Sequence, residues 1–192
     1  MICLLEGGCS MNLVPVLIVV AVIILIFVIW YISVSNKLNR AVVKIDEASS
    51  GIDVALTKRY DVLTKMIEVV KSYAKHEKET LFDVIKLRDN MSMKEKSEVN
   101  HLMDENFKKI NIVAENYPEL KSSENYNTLQ KSITDVEEHL QAARRLYNSN
   151  ISLYNQMIVS FPTSVIAKNK GMAKKDFFEA DEIKKEDVKI NL

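Results

Sequence analysis

Cysteine is almost missing from this sequence: Cys3 and Cys9 are the only two, and both precede residue 13. The rest of the chain therefore has no thiolate nucleophile, no thiolate metal ligand and no disulfide framework. Histidine is nearly as scarce. His76, His101 and His139 include no i, i+4 pair, so no helix face offers two imidazoles to a metal. His76-Glu77-Lys78-Glu79-Thr80 begins like the HExxH zinc-protease motif but has Thr80 where the second histidine must stand. Only four glycines and three prolines occur, and no glycine-rich phosphate loop. That scarcity leaves room for long helices and little for hairpin turns.

Charge of one sign is also absent. Lys and Arg number 26 and so do Asp and Glu, a formal net charge of zero. Along the sequence the signs read as finely mixed, which argues against nucleic acid as a partner, since counterion release needs a concentrated basic face. The carboxylates stand among lysines at helical spacing, a pattern of surface pairs rather than acid–base machinery. Arg144-Arg145, with Glu137 and Glu138 a turn or two away, read as surface pairing in the same way. No convergent set of reactive groups emerges, so no catalytic, cofactor-binding or metal residue is assigned and no enzyme is expected.

What the chain does have is one long apolar run. Leu13 to Ile32 are twenty residues without a charge, sixteen of them Leu, Ile, Val or Phe. As a helix the run would span about 30 Å, the hydrocarbon thickness of a bilayer. A cleaved signal peptide fits poorly: nothing basic precedes the run, and Trp30-Tyr31-Ile32-Ser33-Val34-Ser35 is a weak cleavage site. A lipoprotein fits no better, because Cys9 lies before the run and Glu6 falls within its box. The expectation is an uncleaved single-pass anchor over 13–34, with the lipid bilayer as its partner. Met11 offers an alternative start that would discard both cysteines. All 26 Lys and Arg follow the span, Lys37, Arg40 and Lys44 first. By the positive-inside rule this puts the N-terminus outside and the remainder in the cytoplasm.

Beyond the span, apolar residues recur in alternating steps of four and three. The first seam is Leu38, Val42, Ile45, Ser49, Ile52, Leu56, then Leu63, Met66, Val70 and Tyr73, with Arg59 in one slot. Gly51 and Arg59 mark the weak spot of this seam. A second helix carries Val99, Leu102, Met103, Ile110 and Val113, is capped by Ser92 or Ser97, and fades at Tyr117-Pro118. A third, capped by Ser122 or Ser123, carries Leu129, Ile133, Val136, Leu140, Ala143, Tyr147, Asn150, Tyr154, Met157 and Phe161. Such seams predict helices packed along their length. Asn150 is either a tolerated surface slot or a buried residue that fixes register. A short fourth segment is expected through Val165-Ile166-Ala167 and from Asp176 to Ile183, with an extended tail beyond.

From Gly51-Ile52-Asp53-Val54-Ala55-Leu56-Thr57-Lys58-Arg59-Tyr60-Asp61 onward the chain resembles the LemA family. The likeness continues through Val70-Lys71-Ser72-Tyr73-Ala74-Lys75-His76-Glu77, Glu115-Asn116-Tyr117-Pro118-Glu119-Leu120-Lys121 and Ala142-Ala143-Arg144-Arg145-Leu146-Tyr147-Asn148. It ends with Tyr154-Asn155, Ser160-Phe161-Pro162 and Asp176-Phe177-Phe178-Glu179-Ala180. The family usually has a Trp near Ser49, a Pro near Lys65 and a Phe near Met172, all absent here. The resemblance implies an all-α fold: a transmembrane helix followed by an antiparallel up-and-down four-helix bundle. It divides the chain into a short segment 1–12, the anchor 13–34, the bundle 35–185 and a tail 186–192. It implies no catalytic residues. Relatives encoded near HtpX-type membrane proteases or TPM-domain proteins suggest such partners, and copies of the chain itself are another expectation. Tyr73, His76, Tyr117, Arg144, Arg145 and Tyr147 become the candidate interface or helix-end residues. The expected function is a scaffold or adaptor in the bacterial cell membrane; the alternative is an envelope-stress sensor regulating a membrane protease.

Overall fold

The computed structural model describes residues 13–73, 87, 88 and 91–178. Every regular element among them is a helix: α1 (Leu13–Tyr73), α2 (Met93–Asn116), α3 (Pro118–Ser122), α4 (Glu124–Val159) and α5 (Thr163–Asn169). The all-helical class with a long apolar N-terminal helix is thus as expected. His76 and the tail 186–192 lie outside the described residues.

The 61 residues of α1 form one unbroken helix, about 90 Å long. Its first part is apolar on every side and open to its surroundings, from Val14 to Ile32. Among the described residues it is the one helix long and apolar enough to cross a membrane. Its second part is amphipathic, and the seam read from the sequence is its inner face. Leu38, Ile45, Ile52, Leu56, Leu63, Met66 and Val70 are all buried, and the seam stops short of Tyr73, which is exposed.

Antiparallel to this part runs α4, as the pairing of Asn150 with Lys44 and of Glu137 with Arg59 requires. Leu140, Tyr147, Ile151, Tyr154 and Ile158 close a membrane-proximal core with α1, and Trp30 and Val34 pack on its edge. A distal core joins Leu63, Met66 and Val70 to Val99, Met103, Ile110 and Val113 of α2. At roughly 2 kcal/mol for each fully buried aliphatic side chain, these seams outweigh any surface pairing, worth a few tenths each. Helix α2 runs parallel to α1, since Lys96 meets Asp53 while Asp104 meets Arg59. Consecutive helices of an up-and-down bundle alternate; of the segment between these two, 74–92, residues 74–86, 89 and 90 lie outside the described residues.

The helix ends follow from local chemistry. Ser92 caps α2 in a full capping box: the Glu95 amide donates to the Ser92 hydroxyl, and the Ser92 amide donates to the Glu95 carboxylate at 2.7 Å. Accepting these bonds holds the Glu95 carboxyl below the ordinary carboxylate range. Ser97 lies inside α2. Ser123, not Ser122, caps α4. Asn150 is half-buried and donates to the Lys44 carbonyl at 3.1 Å, so it ties α4 to the backbone of α1. Leu102 and Phe161, both read as seam members, are exposed. Phe161 lies past the end of α4, in the turn before α5.

The slot that Arg59 occupies is the polar centre of the fold. Arg59 is 2% exposed. Its guanidinium donates to the Asn100 carbonyl at 3.1 Å, to the Asn100 side chain, and to the carboxylates of Asp104 on α2 and Glu137 on α4. The Phe107 ring lies 5.2 Å away. Its Nε alone lacks a partner among the described residues. Three helices thus meet on one side chain, and Glu137 is spent here rather than on Arg144 or Arg145. A smaller copy of the arrangement lies nearby: buried Lys96 pairs with Asp53 at 2.6 Å and donates to Ser49 at 3.2 Å.

A buried cation costs most when its countercharges are removed. Asp104 and Glu137 keep 32% and 33% exposure and can hydrate once the cation is gone. Arg59→Met is therefore expected to cost about 2 kcal/mol, against about 3–5 kcal/mol for Asp104→Asn with Glu137→Gln. Urea unfolding of the full chain in detergent, followed by helical circular dichroism, measures both. The opposite ranking would show that Arg59 is hydrated in the native state.

Candidate interaction site

After α4 the chain turns at Ser160 to Thr163, forms α5, and reverses at Gly171, whose φ of 65° suits a residue without Cβ. Residues 172–178 then lie against α4 without helical structure. The expected helical segment starting at Asp176 is therefore corrected: Asp176, Phe177 and Phe178 are non-helical, and the remainder lies outside the described residues.

The reason is a pair of Tyr-Asn dipeptides one heptad apart. Tyr154 donates to the Ala173 carbonyl at 3.0 Å and Tyr147 to the Asp176 carbonyl at 3.2 Å. Asn155 holds Lys175 twice, donating to its carbonyl at 2.9 Å and accepting from its amide at 3.0 Å. Asn148 holds Phe178 in the same way, at 3.0 and 2.9 Å. The register has a simple origin. Seven residues of helix rise about 10.5 Å, and three residues of extended chain cover about 10 Å. Each Asn carboxamide then stands where the peptide group of a neighbouring strand would, and the strap is bound as a strand on the side of a helix. Phe178 closes it: the ring is buried, with the Arg144 guanidinium 4.4 Å from its centroid.

Two of the six candidate residues, Arg144 and Tyr147, therefore act together on this strap. Arg145 points to solvent. Tyr117 stands at the junction of α2 and α3 and is half-buried against the distal core. Tyr73 ends α1 with 40% exposure. The structure does not bring these last two to the strap. Sequence reading missed Asn148 and Asn155, although the Tyr-Asn repeat at a spacing of seven was in view.

On the opposite side of α4 its groove with α1 stays open. Gly51 lies in its floor, where an added Cβ would come within 4.0 Å of the Ala143 Cβ. A shallow hollow of about 290 Å³ there is lined by Gly51, Val54, Lys58 and His139 among others. Val54, Leu146 and Leu153 are all more than half exposed. Among the described residues no group of three or more His, Cys, Asp or Glu is arranged to hold a metal ion.

The LemA family sequence profile matches residues 48–192, three quarters of the chain. The chain belongs to the LemA family. It is 30% identical over 172 residues to the protein LemA of Metamycoplasma hominis, across 85% of this chain and 77% of that relative. LemA membership and the single apolar helix together describe a membrane-associated protein. Two departures from the LemA pattern find their places in the fold. Ser49, where the resemblance led to the expectation of a Trp, accepts a hydrogen bond from the buried Lys96, and α1 passes Lys65 without a break.

Burial, reinforced by the charges of Asp176 and Asp46, pushes the Tyr147 hydroxyl above its ordinary value of 10.0. The group's folded pKa is raised, so its stabilising contribution is complete below pH 10.0 and is lost as pH rises toward the folded value. The strap is expected to loosen above that pH. Hydrogen exchange at the amides of Lys175 and Phe178 reads the change, and Tyr147→Phe should reduce its pH dependence, the Tyr154 hydroxyl on the Ala173 carbonyl being raised by burial as well, while costing about 1 kcal/mol at neutral pH.

Proposed function

We propose that the protein is a non-enzymatic scaffold, anchored in the cell membrane by residues 13–34, that holds a bundle out to other membrane proteins. The carrying observation is the continuity of α1 from the apolar span into the core. A helix without a joint fixes the height of the bundle above the bilayer and its rotation relative to the span. A rigid offset of this kind is what an adaptor needs and what a tethered enzyme, reaching for substrate, does not. The basic residues after the span favour a cytoplasmic bundle. The open groove of α1 and α4, with Val54, Leu146 and Leu153 along it, is the surface offered. Its apolar residues alternate with polar ones, as in the transient interfaces of signalling and quality-control partners. A membrane protease is one such partner.

A photo-crosslinking residue placed at Leu146 or Leu153 of the intact protein in cells should capture one membrane protein reproducibly. The same residue at Lys174, on the strap, should not. Equal capture from every position, or none, would contradict the scaffold. Adducts between copies alone would replace it with a homo-oligomeric structural element.

A further inference from the structure

The zero net charge of the chain conceals a separation that only the fold brings about. Residues 33–45 of α1 and 139–175, from α4 through the strap, contain nine Lys and Arg and not one Asp or Glu. Antiparallel packing sets 33–45 beside the last turns of α4 and the turn into α5, while 139–148 lie level with Asp46, Glu47 and Asp53. Among the described residues the part beside the span is basic: Lys37, Arg40, Lys44 and Lys170 stand there, and 33–45 and 149–170 hold no carboxylate, while Lys175 pairs with Asp46 at 3.8 Å.

Within that end lies a cleft of about 960 Å³ between α1 and the turn from α4 to α5. Lys37, Arg40 and Lys44 form one wall, at helical spacing on a single face of α1. Among the described residues none of the three has an ion-pair partner, and no carboxylate lines the cleft. The other wall includes Met157 and Phe161, the latter 84% exposed. Ser33 also lines the cleft, one residue past the apolar run that ends at Ile32. With Trp30 packed on the core edge, the bundle abuts the bilayer with no linker. By helix rise Lys37 stands about 8 Å and Lys44 about 18 Å past Ile32, so a span ending at Ile32 sets the Ser33 end of the cleft beside the headgroups.

We propose that this cleft binds the phosphate of an anionic phospholipid in the adjoining leaflet. The inference rests on the reading of residues 13–34 as a membrane anchor. Lys37 and Arg40 supply the charge nearest the phosphate, Lys44 adds attraction from further out, and Phe161, level with Ser33, is set toward the first acyl carbons, where an aromatic side chain is favoured. Bound lipid fixes the rotation of the bundle against the bilayer, which a single span alone leaves free.

Trp30, the only tryptophan, reports on the site. The full chain is reconstituted in phosphatidylcholine vesicles, with or without a third of the lipid replaced by phosphatidylglycerol. Flotation of the vesicles scores anchoring. Energy transfer from Trp30 to a trace of headgroup-labelled phosphatidylglycerol, relative to labelled phosphatidylcholine, scores the cleft. Several-fold enrichment of the anionic probe is expected, falling to near parity in the variant K37Q/R40Q/K44Q, since each basic residue near the surface is worth roughly a fivefold factor and three together exceed the whole effect. The variant should keep its helical circular dichroism, because the three side chains are exposed and Gln is a good helix former. Should the variant misfold, loss of enrichment in wild-type protein at high salt serves instead. Flotation with equal transfer to both probes would overturn the lipid site and leave the anchor standing. Failure to float would overturn the anchor. Displacement of the probe by millimolar inorganic phosphate would show a site for free phosphate, and the leaflet would lose its role.

Discussion

One helix serves two solvents, and the rest of the molecule is arranged around that constraint. In hydrocarbon, every backbone N–H and C=O must be satisfied within its own segment, so the apolar part of α1 has to be helical. That same hydrogen-bonded ladder continues past Ile32 without a glycine or proline to interrupt it, Gly51 being the first. The helix therefore enters water already formed, and needs only a partner for its inner face. Leu38 to Val70 supply that face, with α4 covering the proximal part and α2 the distal part.

Where the two cores meet, Arg59 takes the place of an aliphatic residue. A fully apolar seam would tolerate sliding of one helix along another by a heptad, since each register buries similar area. A guanidinium that must find Asn100, Asp104 and Glu137 together has one solution. Specificity of register is the use of buried ion pairs that is best supported elsewhere, and stability is not. Lys96 with Asp53, and Asn150 with the Lys44 carbonyl, restrict the same sliding from two further points.

Much of this was legible in the sequence. The apolar run, the inner face of α1, and the caps, narrowed to Ser92 or Ser97 and to Ser122 or Ser123, all depend on local pattern, and local pattern survives in one dimension. Three things were not legible, for one shared reason. Lys96, Asn100 and Asn106 read as the solvent face of α2, because burial of a polar side chain is decided by a partner on another helix. The strap was not foreseen, and its end from Asp176 read as part of a fourth segment, because its conformation is set by Asn148 and Asn155, some 20 to 30 residues earlier. The basic end read as mixed charge, because its two halves are separated by roughly a hundred residues and joined only by antiparallel packing. The Tyr-Asn heptad was the one available hint of the strap, and on α4 it reads equally well as a seam residue followed by a surface one.

The continuity of α1 across the membrane boundary is the point on which the scaffold reading and the lipid site both depend. Ile29 and Val54 are both exposed and lie on nearly the same side of α1. Spin labels at these two positions, in protein reconstituted into lipid nanodiscs, measure it by pulsed dipolar spectroscopy. An unbroken helix requires a single narrow distance near 37 Å, from 25 residues at about 1.5 Å each. A broad distribution, or a markedly shorter mean, would mean a joint below the span and a bundle free to swing.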